Sequence, residues 1–485
     1  MKQASSAGLV TGLLVAMVAA GVPAHSENLL DVYRLAQKND PAWTGAKASY
    51  RASIEKGPEG RALLLPAIIF LANATQTNLT ESQPGPFTSS YLSHGYTLQL
   101  TQPIYQKGSF AAYAAGKLAV TQAQAQLVIA RQNLIVRTAQ AYFDVLAAQD
   151  ALRFAKAREQ AINGQLQLAQ RNFEVGNSTI VDVNAAQAQY DSAVAAEVVA
   201  DNSLNVQREM LSTLTGMPIG QLAPLAKNFP LQMPVPENMD TWTRAAEDQS
   251  PRIKVQQRAV AIAAEKVKGS RAGHYPSLDL VASSSYSNGN SPGFPGTIVY
   301  HANLLGVELR WPLFSGGAVS SRVRQSLALE DRARDMLTQT ERQTVLDTRR
   351  YYLAVTSGVA QVKALEQALS ASRKANESTE LGYRTGVNTG LDVLNAQQNL
   401  FSVESDLSQA KYGYLMSRLR LQDTVGTLSE NDLATINSLL TGTYHGVDIN
   451  SSTQESGRSP RQMQRDVSQP IQDRFRKPRL PQGAR

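Results

Sequence analysis

The chain has 485 residues, no cysteine and 6% aromatic residues, which excludes a disulfide framework, a thiolate metal site and a lipid-bearing N-terminal cysteine. The formal net charge of +7 does not mark a nucleic-acid binder. Eight of the Lys and Arg residues (Arg458, Arg461, Arg465, Arg474, Arg476, Lys477, Arg479 and Arg485) crowd the last 35 positions, so the body is close to neutral and residues 450–485 read as a disordered basic tail.

Residues 1–26 carry Lys2, an apolar run from Leu9 to Val22 and then Pro23, Ala24, His25 and Ser26. This is the pattern of a signal peptide cut after Ala24 or Ser26. The alternative, an uncleaved anchor, needs the ~20 apolar residues of a membrane span, and the run is shorter. Beyond it no stretch of 18 apolar residues remains, so any membrane crossing falls to strands.

Next come a helical stretch, Leu29 to Arg61, that Gly57, Pro58 and Gly60 are expected to bend or end, and two strands, 64–80 and 95–105. In the second strand Tyr96, Leu98 and Leu100 alternate with Thr97, Gln99 and Thr101. A later helical stretch, Met239 to Arg271, precedes strands 276–287 and 303–314, where Leu305, Val307, Leu309 and Trp311 alternate with Gly306, Glu308 and Arg310. Apolar-polar alternation over about 10 residues is the pattern of a tilted transmembrane strand. Two soluble hairpins packed on helices would show the same alternation. Four strands cannot close a barrel in lipid, because open edges leave backbone groups unpaired and the smallest barrels use ~8 strands. Several copies must then share one.

Each strand pair is followed by a long helix, 110–173 and 318–381, and a returning helix, 179–215 and 389–425. Proline is absent between Ile104 and Met217 and between Leu313 and Ser459, although the chain holds 21. An interior proline costs a helix ~3 kcal/mol, so its exclusion marks uninterrupted helix. At 1.5 Å per residue each long helix spans roughly 95 Å. The spacing of Ile180, Val183, Ala186, Tyr190 and Val194, and of Leu391, Leu394, Phe401, Val403, Leu407 and Tyr414, suits antiparallel coiled-coil pairing.

The whole unit occurs twice. Gly176, Thr179, Asp182, Val183, Ala186, Gln187, Arg208 and Gly216 recur 210 positions on as Gly386, Thr389, Asp392, Val393, Ala396, Gln397, Arg418 and Gly426, and Pro41 and Pro66 recur as Pro251 and Pro276. A period this long is an internal duplication rather than a short-repeat solenoid. The first repeat spans 27–216 and the second 239–426, joined by a Pro-rich connector, 217–238.

The segments LLDVYRLAQKNDPAW, LQLTQPIY, AQAYFDVLAAQDAL, RNFEVGNSTIVDVNAAQAQYD and LGYRTGVNTGLDVLNAQQNL, with G-x-x-T-x-x-D-V-x-x-A-Q at both hairpin ends, resemble the TolC family of outer-membrane channel-tunnels over essentially all of 28–428. The resemblance implies an α+β membrane protein in the outer membrane of a Gram-negative bacterium, with a large periplasmic part. Three chains of four strands would make a 12-stranded transmembrane β-barrel, continued by a periplasmic α-helical coiled-coil barrel. Residues 427–449 would form an equatorial segment. The implied partners are two further copies, a periplasmic adaptor, an inner-membrane ABC or other transporter, and the lipid bilayer. No cofactor, metal, nucleic acid or catalysis is implied.

The resemblance also places Asp392 in a constriction at the hairpin tip, with Asp182, Tyr383, Asn388 and Asn395 as pore or gate residues. Three copies of Asp392 would form an anionic ring with carboxyl pKa values raised by mutual repulsion. The bland reading of Thr179, Asp182, Thr389 and Asp392 is helix capping, with Gly176 and Gly386 as turns. The family pattern has a second aspartate where this chain has Asn395 and a latching arginine where it has Asn388. Tyr383 matches a latch tyrosine, while Arg384 is outside that pattern.

His25, His94, His274, His301 and His445 fall at no ligand spacing, and no G-x-x-x-x-G-K-[ST], G-x-S-x-G or H-E-x-x-H occurs. The function read from the chain is a passive exit duct for proteins passed by a type I secretion system. An efflux-pump duct for small molecules is the alternative within that class, and a periplasmic coiled-coil adaptor or structural protein the alternative outside it.

Overall fold

The computed structural model describes residues 27–81, 87–226, 228–290 and 296–440. The expected signal peptide, the tail with residues 441–449, His25, His445 and the turns of both strand pairs lie outside the described residues. In chain order the elements are α1 (Leu29–Asn39), α2 (Pro41–Ile54), α3 (Lys56–Ala62), β1 (Ala67–Glu81), β2 (Phe87–Tyr105), α4 (Lys107–Glu174) and α5 (Ile180–Thr215). The order then repeats as α6 (Met239–Gln249), α7 (Pro251–Ala272), β3 (Ser277–Asn290), β4 (Thr297–Arg310), α8 (Ala318–Arg384) and α9 (Gly390–Val425), and ends in α10 (Glu430–Leu440).

Two expected helices are broken where sequence reading kept them whole. Asp40 (ψ 119°) and Ser250 (ψ 123°) leave the helical region one residue before Pro41 and Pro251, because the proline ring disfavours α geometry in the preceding residue. Asp40 then caps α2, accepting from the Trp43 N–H at 3.0 Å, and pairs with Arg137 of α4 at 2.6 Å. Burial pushes the Asp40 carboxyl up, but the Arg137 and Trp43 hydrogen bonds outweigh it and hold it below its ordinary range. The stretch is interrupted again at Glu55, where α2 ends and α3 begins, just before Gly57, Pro58 and Gly60, as expected of them. They lie within α3, where a Cβ on Gly60 would stand 3.0 Å from the Tyr113 Cα, so the glycine sets how closely α3 lies on α4.

The strands form one antiparallel sheet, β1-β2-β3-β4. β4 stops at Arg310 rather than running to Phe314, since Pro312 has no N–H for the ladder. β2, β3 and β4 run further outward than expected: β2 and β3 into Ser- and Asn-containing sequence that the ladder recruits despite its low strand preference, β4 into the strand-favouring run Thr297–Tyr300. Register puts Ile68, Phe70, Leu98, Leu100, Leu280, Leu305, Val307 and Leu309 on one face, and Thr97, Gln99, Thr101, Ser283, Ser285 and Glu308 on the other. Both faces are largely exposed, and among the described residues no strand pairs with the outer edges of β1 and β4.

α4 and α8 have 68 and 67 residues, about 100 Å each. Each packs against its returning helix, α5 or α9, as a hairpin. The main core lies where α1, the middle of α4, the second half of α9, the connector and α10 meet. There Leu29, Val32, Tyr33 and Ala36 bury one stripe of α1 against Leu134, Ile135, Tyr142, Phe143, Leu415 and Leu419. The Tyr142 hydroxyl donates to the Ala223 carbonyl at 2.8 Å, tying connector to helix. Sequence reading left α10 without helical assignment; Leu433, Ile436, Leu439 and Leu440 bury its apolar side in this core. Away from it the hairpins are thinly packed: a second cluster has only Ile162, Ala193 and Leu394.

Candidate functional site

Both hairpins turn in the same way at their free ends. α4 and α8 finish in Gly176 (φ 79°) and Gly386 (φ 78°). The Asn177 and Val387 N–H groups reach back to the Asn172 and Gly382 carbonyls at 2.7 and 2.8 Å, closing a left-handed C-terminal turn. The chain then restarts at a capping box. Thr179 Oγ1 accepts from the Asp182 N–H at 3.3 Å while Asp182 Oδ2 accepts from the Thr179 N–H at 3.0 Å. Thr389 and Asp392 repeat this at 3.2 and 2.8 Å.

These bonds fix the electrostatics. The Thr179 N–H, then the Thr179 and Ser178 hydroxyls, hold the Asp182 carboxyl below its ordinary range. The Thr389 N–H and hydroxyl do the same for Asp392. Within one chain, local hydrogen bonds to the charged form favour ionisation; the expected repulsion between copies acts only in an assembly.

The two tips enclose a groove of about 850 Å³. Asp182, Tyr383, Arg384, Gly386, Asn388 and Thr389 line it, so six residues singled out in the sequence, from both repeats, come together. Asp392 and Asn395 do not line it; they stand exposed on α9, three residues apart on one face. Gly176 and Thr179 belong to the turn and cap without lining the groove.

Three features of the tip were missed. Asn172 Nδ2 donates to the Tyr383 hydroxyl at 3.1 Å, linking the hairpins. Asn388 folds against Gly382, where a Cβ would meet its Oδ1 at 2.6 Å. Glu380 accepts from Asn376 at 2.9 Å and from buried Gln397 at 3.3 Å. The signal for the second was available: the repeat aligns Gly382 with Asn172, so one hairpin lacks the side chain the other uses.

A four-stranded sheet, apolar on one face, carried on paired hairpins about 100 Å long with capped turns at their far ends, defines the subunit of an outer-membrane channel. The chain belongs to the outer membrane efflux protein family, whose model matches it twice, at residues 32–217 and 242–427. Those matches stand 210 positions apart, the period read from the sequence. "Outer membrane protein TolC" of Vibrio cholerae is 34% identical over 416 residues, covering 85% of this chain and 94% of the relative. "Alkaline protease secretion protein AprF" of Pseudomonas aeruginosa is 32% identical over 412 residues, covering 84% and 85%. Among solved structures, the outer membrane protein VceC from Vibrio cholerae superposes with a TM-score of 0.70 at 20% identity, over 82% of this chain and 96% of that one. The chain is thus an outer-membrane exit duct.

Proposed function

We propose that three copies close one barrel, β4 of each protomer pairing with β1 of the next. The observation that carries this is the open sheet. Its two free edges and its apolar face are both exposed in the single chain, and in lipid each unpaired backbone group costs several kcal/mol. Closure at 12 strands would turn Leu98, Leu100, Leu305, Val307 and Leu309 to lipid and the mixed face, with Thr97, Gln99, Ser283 and Ser285 beside Ile69, Leu71 and Leu304, to the lumen, with the helical hairpins continuing the tunnel. At the far end Asp392 and Asn395 would face the axis as the constriction. Asp392, ionised by its cap, gives that entrance a preference for cations, and the Asn172–Tyr383 bond and Asn388 hold the tips in place.

The cargo we assign is protein delivered by an inner-membrane ABC transporter and its periplasmic adaptor. The similarity to the alkaline protease secretion protein AprF supports this. Small-molecule efflux is the second reading, supported by the similarity to "Outer membrane efflux protein BepC" of Brucella suis at 25% identity.

Planar-bilayer recording of the purified chain should give a cation-preferring pore from a particle of trimeric mass; a water-soluble monomer without conductance would refute the assembly. In cells holding a type I exporter but no exit duct, the chain should restore secretion of that exporter's substrate. Recovery of drug tolerance alone would transfer the assignment to efflux.

A further inference from the structure

The apolar face of the sheet carries a row of rings outward of Leu98 and Leu305. Phe70 and Tyr96 stack at 6.2 Å, Tyr96 and Tyr286 at 5.1 Å, and Tyr286 meets His301 at 5.1 Å and His94 at 6.4 Å. Register explains the row: Tyr96, Tyr286 and His301 lie directly opposite one another on three neighbouring strands, and His94 is two residues from Tyr96 on the same face. Further out the face is mixed: Gln76, Ser90 and Asn78 are joined by hydrogen bonds of 2.7 Å, beside exposed Leu92 and Val299.

His301 is ten residues from Trp311, the exposed aromatic residue just past the inner end of β4. At ~3.3 Å per residue and a tilt of about 40°, that places the two about 25 Å apart along the membrane normal, the height of a barrel's apolar band. The ring row therefore sits at the outer headgroup level. That level carries phosphate, yet from Leu63 to Gln106 and from Ala272 to Leu309 the chain has no Lys or Arg. His94 and His301 supply ring N–H donors there. Tyr286 adds a neutral donor: its oxygen accepts from Asn288 Nδ2 at 3.1 Å, which leaves the phenol hydrogen free to point outward.

We propose that His94, Tyr286 and His301 form a seat for the phosphate groups of the outer leaflet's phosphorylated glycolipid, one per protomer on the barrel's outer wall. It rests on the barrel reading above, in which this face meets lipid. Imidazole and phenol N–H and O–H groups donate to phosphate oxygens, and the stacked rings hold the donors in a fixed row.

The test is native mass spectrometry of the full chain in detergent with lipid A bearing both phosphates, enzymatically dephosphorylated lipid A, or phosphatidylglycerol. The wild-type particle should retain phosphorylated lipid A at least fivefold better than either of the others. His94→Gln with His301→Gln should bring that ratio close to one, and Tyr286→Phe should lower it in part. A wild-type ratio near one overturns the seat whatever the variants do, as does equal retention of phosphatidylglycerol or a ratio unchanged in the double variant. If the double variant does not assemble, wild type and His301→Gln alone decide. The same spectra give the particle mass: a trimer without the preference overturns only this inference, whereas a monomer overturns the barrel and the seat together.

Discussion

Asn172 and Tyr383 meet at 3.1 Å across the two hairpin tips although 211 positions separate them in the chain. The contact adds a directional bond to a small apolar set, buried Ala186 and Val393 at the tips and the nearby cluster of Ile162, Ala193 and Leu394. A side-chain hydrogen bond has a net worth of about 1 kcal/mol, so Tyr383→Phe should shift each tip roughly fivefold toward its loosened state. Single-channel conductance should rise accordingly. Asn172→Ala should match it and the double variant add nothing; additive effects would show that the two residues act separately.

This bond also marks the limit of what sequence could give. The hairpins were legible because proline exclusion and duplication are one-dimensional signals, and the faces of the strands followed from alternation at Leu98 and Leu305. The helix breaks at Asp40 and Ser250 had a signal in Pro41 and Pro251 that the expected helices passed over; whether Gly60 ends a helix or lets α4 approach it depends on a neighbour that sequence does not name. The tip caps of Thr179 and Thr389 came from local spacing. The pairing of Asn172 with Tyr383 did not, since it depends on how two hairpins lean together.

Charge and capping at Asp392 are separable. Asp392→Asn keeps an acceptor for the Thr389 N–H but removes the charge, whereas Thr389→Val keeps the charge and removes one half of the box. The first should lower cation preference in reversal-potential measurements with little loss of tip order. The second should cost the helix start about 1 kcal/mol and leave the preference in place. Equal effects of both on selectivity would mean that tip order, not charge, governs it.

The lowered carboxyls of Asp182 and Asp392 fix the sign of a pH effect. A carboxylate whose folded pKa lies below its unfolded value contributes stability that is complete above the unfolded value of about 3.9 and is lost as pH falls through the folded one. Tip order, read by hydrogen exchange at residues 176–183 and 386–393, should hold at neutral pH and decline only below the ordinary carboxylate range. Loosening that began near pH 6 would assign the transition to other groups.

Gly386 has φ 78°, and a Cβ added to it would find nothing within 4 Å, so a side chain there meets backbone strain and no clash. Gly386→Val should cost about 1–2 kcal/mol of tip stability, and Gly386→Asn less, since asparagine tolerates the left-handed region. Limited proteolysis of the hairpin ends should rank the variants wild type, Asn, Val in rising susceptibility. A valine variant cut no faster than wild type would show that the turn can be rebuilt without left-handed geometry.

In the sheet, two glycines should behave in opposite ways for a reason visible in their neighbours. A Cβ on Gly95 of β2 would stand 2.6 Å from the Tyr286 carbonyl oxygen of β3, a backbone atom held in the ladder, so only strand separation relieves the contact. On Gly306 of β4 the same atom would meet nothing within 4 Å. Overpacking of a fixed backbone costs typically about 1–3 kcal/mol. Gly95→Ala should therefore lower the temperature at which the detergent-solubilised particle dissociates on a gel, by several degrees, while Gly306→Ala leaves it within a degree. Were Gly306→Ala the more damaging, the free face beside β4 would have to be filled on assembly, and the neighbouring protomer would then lie closer to that edge than simple strand pairing requires.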